Sequence, residues 1–422
     1  MSASPGPRRV LRASAFAFAA GIAIAVSAAA PAVADDGQWW YDAYKVADAH
    51  AEGWTGKGVK IAVVDSQINP ELADFDGTDL TVAPGAACEG VEPSTTEANA
   101  ESEHGSTVTA MLIGNGTGVA QTKGIVPDAS VTFYGVGALG DCTPTSEVEA
   151  SGHTPLGWMF QRALDDGADI VMTAIVQGQA TTPDLMTVAR AVASKTPLIA
   201  GNPNDGFKQG GLPAGLSGVV GVSAVDRDGN LPIAALGVEN AILDTTVVAP
   251  GVGISTLGDN DSWDAPGVGT GTSLATPQVA GILAAAMQKY PDATGNQLIQ
   301  ALVNNTGSGD QPVTYDATDG YGYGAASLTR VLAADPSQYP DTNPLLDKVL
   351  QLPSPDQFAE AQQALASAEP TSSSEAPEPG SASLLPVFVG VGIGVVVLIL
   401  AAVVVTVVIV RRNNTAQRKG QS

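Results

Sequence analysis

From 59 to 65 the chain reads Val-Lys-Ile-Ala-Val-Val-Asp, apolar at consecutive positions rather than alternate ones. A strand with one wet face alternates; a strand buried on both faces of a parallel sheet has no need to. Comparable runs at 131–134, 170–176, 197–200, 219–225 and 246–249 predict further buried strands. Between them, apolar positions at helical spacing predict helices over 42–53, from 104 onward, and over 156–166, 183–194, 273–289 and 295–304, with a last short helix after 320–325. Strands alternating with helices, joined by right-handed crossovers, predict an α/β fold: a mainly parallel central sheet with helices on both faces, in three layers.

The segment 273–289 departs from an ordinary amphipathic helix. Its first fifteen residues, 273–287, are Ala-rich and uncharged, so it is expected to be buried on all sides, and a flexible Gly/Thr loop at 269–272 delivers Ser273 to its first turn. A helix N-terminus carries unpaired N–H groups and a partial positive charge, which stabilise any anion formed there. Ser273 therefore has two readings: a helix cap, or a nucleophile whose own N–H faces an oxyanion.

Three other positions share this ambiguity. Asp65 ends the first strand, at the sheet edge where α/β sites are built, though many such residues are turns or caps. His104 opens a helix, unlike His50 and His153, the only other histidines, which are expected to be solvated surface residues. Asn202, in the loop after the 197–200 strand, either caps a turn before Pro203 or donates to an oxyanion.

Charge and the chain ends set the compartment. A formal charge of −24 excludes phosphate-backbone binding, so no nucleic-acid partner is expected. Residues 1–34 resemble a secretory signal: Arg8, Arg9 and Arg12, an apolar run, then Ala32-Val33-Ala34. Cleavage there removes three arginines and takes the charge to −27. Residues 384–410 are uncharged, Val-rich and long enough for a transmembrane helix, and the basic tail 411–422 is expected to stay cytoplasmic. The Pro/Ser/Glu-rich stretch 335–383 is expected to be a tether, with short helical segments within 343–368. The body, 35–334, then lies outside a cell membrane crossed once. In an exported chain the two cysteines, Cys88 and Cys142, form one disulfide most simply, with free thiols as the alternative.

Taken together, Ile61-Ala-Val-Val-Asp65-Ser, His104-Gly-Ser-Thr-Val, Gly124-Ile-Val-Pro-Asp-Ala, Ala200-Gly-Asn202, Val248-Ala-Pro-Gly251 and Gly271-Thr-Ser273-Leu-Ala-Thr-Pro make residues 40–332 resemble the subtilisin-like serine proteases. The resemblance implies a subtilisin-like fold and an endopeptidase acting on protein or peptide substrates. It makes Ser273 the nucleophile, His104 the general base, Asp65 its orienting partner, and Asn202 with the Ser273 N–H the oxyanion donors. A signal-like start, a lead-in of roughly 25 residues, a tether and a single span further resemble the mycosins, membrane-anchored subtilases associated with type VII secretion, whose components are then expected partners.

Two departures bear on activity. Gln67 stands where the family has a glycine, and 169–176 lacks the family's Ser-x-Gly, so Ile175 or Val176 stands where a peptide would approach backbone. They leave a second reading open, an inactive or weakly active protease-like scaffold for membrane partners. No cofactor is expected. Calcium is a feature of the family, but the loop 115–123 offers carbonyl oxygens and no carboxylate, so no metal site is expected either.

Overall fold

A computed structural model describes residues 37–137, 142–206, 211–234, 237–307 and 314–368. The signal-like segment 1–34, the span 384–410, the tail 411–422 and the tether beyond 368 lie outside these. Among the described residues, no helix is long and apolar enough to cross a membrane.

Seven parallel strands form the central sheet: β1 (Lys60–Asp65), β2 (Asp79–Val82), β3 (Ser130–Gly135), β4 (Ile170–Thr173), β5 (Leu198–Gly201), β6 (Val220–Val225) and β7 (Val247–Pro250). Their order is β2-β3-β1-β4-β5-β6-β7. From β1 the chain moves out to β2, returns to β3 beside β1, then crosses to β4 on the other side. The order therefore reverses between β1 and β4, and the crevice beyond the carboxyl ends of these strands is where open α/β sheets build sites.

Strands β1, β3, β4 and β5 feed two cores, one on each face of the sheet. Ile61 and Val63 of β1 join Val131, Phe133 and Met172 on one face, while Ala62 and Val64 join Tyr134, Val171 and Ala200 on the other. Helices α1 (Trp39–Ala43), α2 (Val46–Ala51) and α3 (Ala100–Ile113) contribute to the first core. Helices α4 (Ser146–Ser151), α5 (Pro155–Asp165) and α6 (Thr182–Ala193) cover the second. Helices α7 (Thr272–Lys289), α8 (Gly295–Asn304) and α9 (Leu328–Ala333) complete the first face. The α/β architecture expected from the pattern is the one observed.

Two elements differ from expectation. The Gly/Thr loop before Ser273 is strand β9 (Gly267–Thr270), paired antiparallel with β8 (Val252–Thr256). Glycine-rich composition hid a ribbon held by backbone pairing. The 170–176 run stops as a strand at Thr173, where Ile175 N turns back to donate to Thr173 Oγ1.

The body does not end at 334. Residues 335–368 pack on it, ending in α10 (Pro355–Ala368), which lies against α6. Leu345 is buried, Asn343 Nδ2 donates to Gly218 O, and Asp341 bridges Lys195 and Thr294. The Pro/Ser/Glu average concealed a few anchors at spaced positions, so the packed body extends to residue 368. Cys88 and Cys142 form a disulfide between loop segments 54 residues apart. His50 and His153 are half-buried and hydrogen-bonded, to Ile125 O and Thr187 Oγ1, rather than solvated.

Candidate active site

Asp65 ends β1 at the point where the strand order reverses, and it is fully buried. Its Oδ1 accepts from the Ser66 N–H at 2.7 Å and from the Ser66 hydroxyl at 3.0 Å. These bonds fix the carboxylate plane. The same oxygen lies 2.8 Å from His104 Nδ1.

His104 reaches it because α3 starts where it does. Asn99 caps the helix through a reciprocal pair: its Oδ1 accepts from the Ser102 N–H, and Ser102 Oγ accepts from the Asn99 N–H. Five residues on, the histidine sits in the first turns, its ring 28% exposed over a carboxylate with no exposure. Close approach of α3 to the turn after β1 depends on Gly105, where a Cβ would collide with Gln67 O. Gln67 itself adopts no positive φ, so the missing family glycine costs this turn nothing.

Burial of the imidazole disfavours its charged form. The Asp65 charge, their hydrogen bond and the Glu103 charge outweigh it, and His104 titrates above an ordinary histidine. Asp65 Oδ1 is an acceptor only, so Nδ1 carries the proton and Nε2 is left as the basic nitrogen when the ring is neutral.

Ser273 is the second residue of α7, a helix buried almost throughout its first fifteen residues. Alanine and glycine let it lie close: a Cβ on Gly281 would be 2.9 Å from Ile125. The Ser273 N–H falls in the first turn, which has no intrahelical acceptor. Pro277 has no N–H for the Ser273 carbonyl. The ribbon ties this turn to His104: Thr107 of α3 accepts the Leu257 N–H and donates to Glu103 Oε1, while Thr256 packs over Gly269 beside Leu274. No hydrogen bond joins His104 to Ser273, as is common before substrate binds.

Asn202 departs from its expected role. It is 1% exposed, and its Nδ2 donates to Ser223 Oγ at 2.9 Å and Thr245 Oγ1 at 3.0 Å. Thr245 gives its own proton to Ile242 O, so it must accept from Asn202, which fixes the orientation of the amide. Both amide protons are taken up in the sheet edge. What sequence reasoning passed over is Asn204, two residues on, whose Oδ1 accepts the Thr272 N–H at 3.0 Å. The only hint in the chain was a second amide beyond Pro203.

Asp74 was also missed. It is buried against Gly118 of the 115–123 loop, its Oδ1 makes no hydrogen bond, and burial raises its pKa. The loop therefore does meet a carboxylate. One carboxylate whose space Gly118 fills does not fit a calcium ion, which takes 6–8 oxygens, and the Asn115 amide is committed to Ala73 O, Asp76 O and Thr117. Among the described residues no group of three metal-ligating side chains occurs.

A parallel sheet with a carboxylate–imidazole pair and a serine-bearing buried helix at its carboxyl edge is the arrangement of subtilisin-like proteins. Residues 56–324 match the subtilase family, and the chain belongs to it. It is 30% identical over 275 residues to alkaline elastase YaB of Bacillus sp. (strain YaB), covering 63% of this chain and 64% of that protein. It is 30% identical over 274 residues to subtilisin BL of Lederbergia lenta, covering 64% and 91%. The match thus spans just under two thirds of the elastase. Among solved structures, a Pseudoalteromonas arctica PAMC 21717 protease superposes with a TM-score of 0.55 at 22% identity, covering 71% of this chain and 97% of that one. The prenylagaramide maturation protease PagA does so with a TM-score of 0.53 at 21% identity, covering 68% and 97%. At these identities the structural likeness speaks for the fold.

Proposed function

We propose that this chain is a serine endopeptidase whose catalytic domain lies outside the membrane that anchors it. The observation that carries the reading is the 2.8 Å contact between His104 Nδ1 and buried Asp65 Oδ1, at the sheet edge that also receives Ser273. His104 Nε2 takes the Ser273 proton as Oγ attacks the scissile carbonyl carbon. Asp65 holds the tautomer and supports the imidazolium that forms. The Ser273 N–H receives the oxyanion, helped by the positive end of α7. His104 then returns its proton to the leaving amine, and water repeats the cycle on the acyl-enzyme.

Export and anchoring rest on the sequence of 1–34 and 384–410, and the disulfide agrees with an oxidising compartment. That organisation supports a mycosin-type role beside type VII secretion components, with protein or peptide substrates. The test is labelling by a fluorophosphonate probe of membranes carrying the full chain. Wild type is expected to label in the membrane fraction and Ser273→Ala to lose the label. A folded, unlabelled wild type would instead favour a protease-like scaffold, and label confined to the soluble fraction would remove the anchor.

A further inference from the structure

We propose that the C-terminal stretch 343–352 buttresses the acyl-side wall of the cleft, with Lys348 as a positioning residue that sets which side chains the cleft admits. The inference rests on the protease reading above. It adds a part that the shared domain does not supply, since the family match ends at 324 and the buttress lies beyond it.

The wall begins in a loop that cannot hold itself. Residues 213–219, between Leu212 and β6, are buried throughout, so their backbone groups must find partners inside the protein. The partners come from 343–352. Lys348 is 4% exposed, and its Nζ donates to Ala214 O at 2.6 Å and to Val219 O at 2.7 Å, so one amine draws together the two ends of the turn. The Ser217 N–H donates to Leu352 O, the Gly218 N–H donates to Leu345 O, and Gly218 O accepts from Asn343 Nδ2. The buttress is pinned in turn where Asp244 Oδ2 accepts the Val349 N–H at 2.6 Å. Burying an amine costs far more than burying an apolar side chain of the same length. What the amine provides in return is a fixed separation of Ala214 from Val219.

The held loop reaches the cleft through one residue pair. The Gly215 N–H donates to Gly211 O, and Leu212 exchanges two backbone hydrogen bonds with Gln177, at 2.8 and 3.2 Å. Gln177 follows Val176, whose Cγ1 lies 2.3 Å from where a Cβ on Gly211 would stand, with the Pro203 ring 2.7 Å from the same point. These residues lie in the links that follow β4 and β5, on the side of the site away from His104, where the acyl half of a peptide must run. The route from Lys348 thus passes through the loop to Leu212, then through Gln177 to Val176, and includes none of Asp65, His104 and Ser273. Without the amine the two carbonyls are free to part, the strip 211–212 can move outward, and the space beside Val176 widens.

Lys348→Met removes the amine and keeps a side chain of similar length. Two peptides that differ only in the acyl-side residue at the cleaved bond, alanine or phenylalanine, read the effect. With the alanine peptide, kcat of the folded fraction, counted by fluorophosphonate titration, should stay within about threefold of wild type, because no interaction with the reacting atoms is lost. With the phenylalanine peptide KM should fall, raising kcat/KM for phenylalanine over alanine by about tenfold, the lower end of the range for one methylene group in a pocket. Hydrogen exchange of the full chain should be faster across 211–219. Asn343→Asp, which keeps the acceptor for the Leu345 N–H and removes the donor to Gly218 O, should shift the ratio in the same direction. Asp341→Asn loosens the C-terminal stretch where it meets Lys195 and Thr294 instead, and should leave the ratio unchanged. An unchanged ratio in either folded loop variant, a shifted ratio without faster exchange, or an equal shift in Asp341→Asn overturns the buttress and leaves the enzyme standing. A folded wild type that neither labels nor cleaves either peptide overturns the protease reading, and the buttress with it.

Discussion

His104 Nδ1 lies 2.8 Å from Asp65 Oδ1, with the carboxylate wholly buried and the imidazole open to solvent along one edge. Burial works against protonation of the ring, but the Asp65 charge and hydrogen bond, with Glu103 behind them, raise its pKa. Only the neutral ring can act as base, so activity is lost as pH falls through a value above the ordinary 6.5 of histidine. The acid limb of kcat/KM on a peptide substrate is expected above pH 6.5. In Asp65→Asn the two leading favourable interactions disappear and burial remains, so the limb moves to lower pH while kcat falls by about 10⁴. An acid limb that stays in place in Asp65→Asn would contradict this coupling.

Much of this site was legible because its cues are local. The apolar run before Asp65, the helix opening at His104 and the Ala-rich segment after Ser273 each announce a sheet edge or a helix start within a few residues. Asn202 and Asn204 were not separable in this way. Which amide is free depends on Ser223 of β6 and Thr245 from the segment before β7, which only the fold brings alongside. Strands β8 and β9 were illegible for a related reason, since glycine-rich residues pair through backbone and leave no side-chain pattern. The docked stretch 335–368 was masked by composition, because a handful of buried anchors such as Leu345 do not shift a Pro- and Ser-rich average.

Val176 should restrict what the serine can cut. Its Cγ1 and the ring of Pro203 cover the bare backbone of Gly211, between the links that follow β4 and β5 on the side of the site away from His104. The leaving amine must lie near His104, so the acyl half of the substrate extends toward this covered ground. Small acyl-side residues are expected to be preferred. Val176→Gly should raise kcat/KM for large apolar side chains over alanine by at least about 10–200-fold, the range for one methylene group in a pocket. Cleavage of a peptide library by both proteins measures the ratio, and an unchanged preference would place the pocket elsewhere.

The Cys88–Cys142 disulfide closes a loop of 54 residues between segments of otherwise irregular structure. Removing it frees that loop in the unfolded chain, which costs about 4 kcal/mol by chain entropy. Urea unfolding of a Cys88→Ser/Cys142→Ser double variant is expected to show a loss of that order, with kcat of the folded fraction little altered, because neither cysteine touches Asp65, His104 or Ser273. A double variant as stable as wild type would mean that local contacts already fix these loops.

Lys348 enters the body from the docked C-terminal stretch and is 4% exposed, its amine donating to Ala214 O and Val219 O. Burial pushes it from 10.5 down to about 7, with nearby Asp244 offsetting part of the effect. Below pH 7 the lysine is protonated in folded and unfolded chains alike, and the cost of burying its charge is fully present. Between pH 7 and 10.5 only the unfolded chain still holds the proton, so raising the pH draws that proton off and favours the folded state. Stability from this group should therefore rise by up to about 1.4 kcal/mol per pH unit across that window and level off above it. In Lys348→Met the amine is gone, so the rise should vanish from that protein and appear in full as the difference between the two. Urea unfolding of both from pH 7 to 10 measures this directly. Parallel stability curves would show that Lys348 keeps its proton inside the fold, held by the two carbonyls and Asp244.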